Sequence, residues 1–165
     1  MNEQQYIKIT SYFRKTKLRE KIVIYLCKYT PLIVAFCYFA TLAILLISKN
    51  EKLILFLLIP ATNFIFITLL RKILNRPRPY DVFNHIPLVK YTPGKGKSFP
   101  SRHTSSAFII AISYFYINYV YLGLFMLIVA IIIGLSRIIA GVHFPKDIIA
   151  AIVISIIWAF IGFNI

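Results

Sequence analysis

Four stretches of this chain carry no Asp, Glu, Lys or Arg: 29–48, 53–70, 103–136 and 148–165. Crossing a bilayer takes about 20 predominantly apolar residues, and a soluble helix of that length needs a charged face. The stretches meet the first condition and lack the second. The 34-residue stretch 103–136 holds Asn118 and Gly123 near its middle, so it reads as two crossings joined by a turn around 118–123. The expected fold is all-α, a membrane helical bundle in a single domain over 1–165. Its five transmembrane helices fall at roughly 28–48, 53–74, 103–119, 122–140 and 146–163. A mean hydropathy of +0.78 is too apolar for a soluble domain of this size.

The net charge is +14, with 19 Lys and Arg against 5 Asp and Glu. Beside membrane spans, such an excess points to anionic lipid headgroups or anionic substrates. No aromatic-basic nucleic-acid motif accompanies it, so no nucleic-acid partner is expected. Residues 5–21 alternate apolar Tyr6, Ile7, Ile9, Tyr12, Phe13 and Leu18 with basic Lys8, Arg14, Lys15, Lys17, Arg19 and Lys21. This predicts an interfacial amphipathic helix within an N-terminal segment 1–27 that lies on the bilayer. Charges run throughout the first 21 residues, which excludes the apolar core of a secretory leader there. Cys27 and Cys37 lack zinc-site spacing and read as small packing residues.

Pro60 falls inside the second apolar helix, where neighbouring side chains must take up the carbonyl it frees. Arg76-Pro77-Arg78-Pro79 ends that helix, because each Pro removes a donor and disfavours the helical region before it. Residues 80–99 form the one long polar segment, and with its flanks (75–102) it is expected to cap a site. Asp81 and His85 read there as plain loop residues.

Three polar clusters interrupt the apolar runs. They are Arg71-Lys72 with Arg76-Pro77-Arg78-Pro79, then Pro100-Ser101-Arg102-His103, then Ser136-Arg137 with His143 and Asp147. Counting crossings puts all three on one membrane face. Arg71, Arg78 and Arg137 can surround a phosphoryl group, since guanidinium is always charged and matches phosphate geometry. Ser101 and the backbone N–H groups of Arg102 and His103 add donors from a helix start. His143 and Asp147, four residues apart at a helix start, allow the carboxylate to hold one ring nitrogen and leave the other free. That makes His143 a nucleophile or base. His103 is placed to act as the general acid.

The clusters resemble the three-part signature of the type 2 phosphatidic acid phosphatase family of membrane lipid phosphatases. Its pattern is Lys-x6-Arg-Pro, then Pro-Ser-x-His, then Ser-Arg-x5-His-x3-Asp. The second part stands here as Pro100-Ser101-Arg102-His103 and the third as Ser136-Arg137-x5-His143-x3-Asp147. The first stands as Arg78-Pro79, with Arg71 where the pattern has Lys and Lys72 one residue on, so both are candidates. The resemblance implies that His143 attacks phosphorus, Asp147 orients it, and His103 protonates the leaving group and then activates water. Arg71 or Lys72, Arg78, Ser101, Arg102 and Arg137 would hold phosphate. It implies no metal and no cofactor, and one nearby aspartate cannot build a magnesium cage.

A site at the surface implies a membrane lipid as substrate. Small bacterial relatives of this kind act on undecaprenyl diphosphate, taken here as the first expectation, or on phosphatidylglycerophosphate or phosphatidic acid. A lipid phosphotransferase and a non-enzymatic lipid-binding protein are the rival classes. The face of the clusters carries 17 of the 19 Lys and Arg residues, leaving Lys49 and Lys52 opposite. The positive-inside rule makes that face cytoplasmic. The family resemblance places it outside, in a bacterial plasma membrane, and is preferred because an interfacial helix need not be translocated.

Overall fold

A computed structural model describes residues 1–164, all of whose regular structure is helical. The elements are α1 (Glu3–Arg14), α2 (Lys17–Ile47), α3 (Leu53–Leu74), α4 (Pro79–Val82), α5 (Arg102–Tyr116), α6 (Val120–Ile139) and α7 (Pro145–Phe163). The protein is a multi-span membrane bundle. Among the described residues four helical segments are long and apolar enough to cross a bilayer: Lys17–Ile47, Leu53–Val82, Val120–Ile139 and Pro145–Phe163.

The fifth expected crossing differs. α5 has 15 residues, about 22 Å at 1.5 Å per residue, shorter than a full span. It is the hub of the bundle and packs against α2, α3, α6 and α7. A helix covered on all sides by protein needs neither the length nor the hydropathy of a lipid-facing one. It therefore carries polar groups that its neighbours satisfy. Ser105 donates to Asn63 Oδ1 on α3 at 2.8 Å and pairs with Ser155 on α7 at 2.8 Å. Tyr114 pairs with Thr41 on α2 at 3.1 Å. The apolar core surrounds these contacts, with Phe56, Ile109, Met126 and Ile133 almost wholly buried.

The N-terminal boundary also shifts. The amphipathic segment is not one helix through residue 21. It breaks at Lys15–Thr16, and Thr16 caps α2 by accepting the Arg19 N–H. Lys17, Arg19 and Lys21 thus belong to α2, whose 31 residues reach about 46 Å and outrun a hydrocarbon core of about 30 Å. Its basic end projects into the headgroup layer. α1 packs on α2 and α6, with Tyr6 buried. The Tyr6 hydroxyl contacts the carbonyls of His85 and Gly141, each at 3.2 Å, and Arg14 donates to the Ile86 carbonyl at 2.8 Å. α1 is therefore a strap across two loops as well as an interfacial helix.

Pro60 behaves as expected. Lacking an N–H, it frees the carbonyl of Phe56 four residues back, and the Tyr38 hydroxyl of α2 takes it up at 3.2 Å. α3 stops at Leu74, where Asn75 turns left-handed at φ 37 ahead of the two prolines. The turn between α5 and α6 is tighter than expected, spanning 117–119 with Asn118 at φ 65.

Ser105→Ala removes the donor that joins α3, α5 and α7. It is expected to lower stability by about 1 kcal/mol, read as a lower Tm in detergent. An unchanged Tm would show that the contact is energetically idle.

Candidate active site

A cavity of about 430 Å³ opens at the end of the bundle where α3 stops and α5 begins. Arg71 and Lys72 reach it from the last turn of α3, and Arg102 and His103 from the first turn of α5. Arg137 comes from the last turn of α6 and His143 from the loop before α7. Arg78, Lys90, Lys95 and Lys97 come from the long loop. Among the described residues no carboxylate lines this wall.

Each of the three core arginines is fixed by a backbone carbonyl. Arg71 donates to Pro100 at 2.7 Å, Arg137 to Cys27 at 2.9 Å, and Arg78 to Gly96 and Val142 at 3.1 and 3.2 Å. A guanidinium has five N–H donors, so each keeps several for an anion in the cavity. The Cys27 carbonyl is available for a specific reason. Pro31 lies four residues further along α2 and has no N–H to give it. The helix break that frees this carbonyl is what seats Arg137. Arg71 is buried and Lys72 exposed, though both reach the cavity.

His143 sits in a tight turn. α6 ends at Ile139, Gly141 adopts φ +78, and Pro145 restarts the helix at its first position. A Cβ on Gly141 would lie 2.6 Å from the Tyr6 hydroxyl, so α1 presses directly on this turn. Asp147, in the first turn of α7, gathers three donors on Oδ2. They are the Ser98 hydroxyl at 2.6 Å, the Phe144 N–H at 3.0 Å and His143 Nδ1 at 3.3 Å. With a carboxylate accepting, Nδ1 carries the proton and Nε2 keeps its lone pair. Burial pushes the His143 imidazole down to about 4, against the opposing pull of Asp147. The ring is therefore neutral at pH 7, the form a nucleophile needs.

The structure brings seven of the expected residues to one cavity: Arg71, Lys72, Arg78, Arg102, His103, Arg137 and His143. Asp147 lies behind His143, off the cavity wall and in contact with His143 Nδ1. Ser101 departs from expectation. It stands at the N-cap position of α5 but is fully buried. Its hydroxyl pairs with Thr104 Oγ1 at 2.9 Å and its N–H donates to the Asp147 carbonyl. It is committed to the scaffold and does not reach the wall.

Two contributors had no signal in the sequence. Ser98 is one serine in a polar loop, and only the fold reveals that it holds Asp147. Pro31 stands far in sequence from the polar clusters, so nothing marks it as part of the site. Asp81 lies apart from the cavity, accepting the Gly94 N–H at 2.8 Å, in keeping with a loop role. Beside the polar cavity, and sharing Arg102 and His103 with it, runs an apolar groove of about 200 Å³. Its walls include Pro31, Val34, Phe64, Ile110 and Ile133.

Residues 51–165 match the PAP2 superfamily. The chain is 33% identical over 88 residues to the undecaprenyl-diphosphatase BcrC of Bacillus subtilis, and 32% identical over 90 residues to a lipid A 1-phosphatase of Rhizobium etli. These alignments take in 53% and 51% of this chain, and only 44% and 37% of the two relatives' own lengths. Among solved structures, LpxE of Aquifex aeolicus superposes with a TM-score of 0.77 at 25% identity, over 99% of this chain and 95% of that one. A phosphatidylglycerolphosphate phosphatase of Bacillus subtilis gives 0.61 at 17% identity over 98% and 92%, a likeness of fold alone.

Two outcomes are expected. Pro31→Ala lets the new N–H compete for the Cys27 carbonyl and loosens Arg137. Affinity for inorganic phosphate, measured by titration calorimetry, should fall roughly fivefold, the worth of about one hydrogen bond. An unchanged affinity would remove Pro31 from the account. Separately, His143 is protonated only as pH falls through about 4. The imidazole NMR signals of His143 should therefore show no protonation around the ordinary value of about 6.5 and titrate only near 4. A titration around 6.5 would contradict the burial argument.

Proposed function

The chain belongs to the PAP2 superfamily, and from that premise we propose that it is a metal-independent membrane lipid phosphatase that works through a phosphohistidine. One observation carries the reading. A buried, neutral His143 held by Asp147 shares a cavity with His103 and three carbonyl-anchored arginines.

In this mechanism His143 Nε2 attacks phosphorus and the bond to the lipid oxygen breaks. Burial, with the nearby arginines, pushes the free His103 imidazole down to about 3, so in this reading it takes up its proton together with the phosphate anion and then delivers it to the departing oxygen. Asp147 stabilises the imidazolium character that develops on His143. Arg71, Arg78 and Arg137 meet the charge on the equatorial oxygens, where electrostatic preorganisation does most of the catalysis. Arg71 fills the first basic position of the signature, being buried and fixed, while Lys72 and Arg102 supply outer charge. His103 then takes a proton from water, which attacks the phosphohistidine, releases phosphate and restores neutral His143.

The substrate in this reading is a lipid whose phosphate lies at headgroup level, with undecaprenyl diphosphate the first choice. The partial match to an undecaprenyl-diphosphatase supports that choice. The apolar groove beside His103 supports a lipid substrate in general, since it suits the first carbons of a tail. Phosphatidylglycerophosphate and phosphatidic acid are the alternatives. The active face lies outside the cytoplasm of a bacterial plasma membrane.

Purified protein in EDTA should release phosphate from one or more of these three lipids, with the fastest naming the pathway. His143→Ala should lose at least about 10³-fold while still inserting and folding. Wild-type rates from that variant, or dependence on added metal, would overturn the mechanism.

A further inference from the structure

The three core arginines suffice to surround one phosphoryl group, yet the cavity wall carries more charge than that. Lys90, Lys95 and Lys97 line it from the long loop, and all three are exposed. No carboxylate balances them: among the described residues the sole close contact between a basic and an acidic side chain is His143–Asp147, whose imidazole is neutral. Like charges crowded around a concave wall repel one another until an anion enters. At about 430 Å³ the cavity falls in the range of sites that take a whole ligand.

The backbone that presents Lys95 and Lys97 is held in place. Gly94, Gly96 and Lys97 all sit at positive φ, at 67, 58 and 55. Glycine adopts that region freely, whereas lysine seldom does. The strain is pinned on both sides. Asp81 accepts the Gly94 N–H at 2.8 Å, Arg78 Nε donates to the Gly96 carbonyl at 3.1 Å, and Ser98 N–H donates to the Arg76 carbonyl at 2.9 Å. Ser98 also holds Asp147. The lysine loop is thus built onto the same groups that fix Arg78 and His143. A merely solvated basic face needs no such anchoring.

We propose that Lys90, Lys95 and Lys97 form a second anion subsite that receives the inner phosphate of a lipid diphosphate while His143 attacks the terminal one. The assignment rests on the phosphatase reading above and narrows its substrate class to diphosphates. In the reaction, His143 Nε2 bonds to the terminal phosphorus and the bridging P–O bond breaks. The electron pair goes to the bridging oxygen, which leaves as part of the lipid monophosphate. Water later cleaves the phosphohistidine, so one water is consumed and one inorganic phosphate released. The lysine ammonium groups neutralise the charge that collects on the departing lipid phosphate. A lipid monophosphate leaves this subsite empty.

The test compares wild type with a Lys90→Gln/Lys95→Gln/Lys97→Asn variant in neutral detergent micelles. Asn at 97 removes the charge and tolerates positive φ. The substrates are farnesyl diphosphate and farnesyl monophosphate, which share a tail. The ratio of kcat/KM for diphosphate over monophosphate should fall roughly tenfold in the variant, as expected for the loss of three exposed charge contacts. An unchanged ratio overturns the subsite. Repeating the assay in phosphatidylcholine vesicles with and without phosphatidylglycerol separates the other source of the same anion. A fall in the ratio seen only with phosphatidylglycerol assigns the lysines to surrounding headgroups and overturns the proposal. A binding arm uses His143→Ala protein with and without the lysine changes, titrated with inorganic pyrophosphate and inorganic phosphate. Lysine-dependent preference for pyrophosphate supports the subsite, and equal affinity overturns it. Should wild type cleave neither farnesyl lipid but release phosphate from phosphatidylglycerophosphate or phosphatidic acid, the diphosphate subsite is overturned and the phosphatase reading stands. Release from no lipid at all overturns the phosphatase reading, and the binding arm still decides the subsite.

Discussion

Asp147 is buried at the start of α7, and one of its carboxylate oxygens collects the Ser98 hydroxyl, the Phe144 N–H and His143 Nδ1. Its backbone carbonyl takes the Ser101 N–H at the start of α5. A buried carboxylate is tolerated only when donors surround it. Those donors come from the long loop and the α6–α7 turn, while the backbone carbonyl of the same residue takes the N–H at the head of α5. Asp147 thus ties the second and third polar clusters to the long loop. The site's geometry follows from that single electrostatic requirement.

The same logic runs through the bundle. Pro31 and Pro60 each leave a carbonyl without its helical partner, and in each case a side chain from another helix supplies the missing donor. Arg137 answers one and Tyr38 the other. In hydrocarbon an unpaired carbonyl is costly, so each break becomes a specific cross-helix contact. At Pro31 that contact positions a cation at the cavity, which makes α2 part of the site although it precedes the matched residues 51–165.

The polar clusters were readable because charged and imidazole side chains stand out against an apolar background. Counting crossings then placed them on one face, and seven of the expected side chains do line one cavity. The direction of the Ser101 hydroxyl was not readable. A serine at an N-cap looks the same in sequence whether its hydroxyl faces a ligand or, as here, Thr104. The α1–α2 break at Thr16 was hidden because basic and apolar residues alternate across it without interruption. α5 was drawn too long because apolar runs show where a helix can extend, not where its neighbours end it.

The sequence by itself determined the membrane fold, the approximate helices, the convergence of the clusters and the membership of His143 and Asp147 in one helix-start unit. These depend on hydropathy, length and local spacing, which act within a segment. Tertiary structure alone decided that α5 is the protein-enclosed hub, that Ser98 secures Asp147 and that Pro31 frees the carbonyl seating Arg137. It also decided that Tyr6 braces the His143 turn and that the loop lysines meet the arginines. Those are contacts between residues far apart in the chain. Their partners are chosen by packing and by the need to satisfy buried polar groups, neither of which a local pattern encodes.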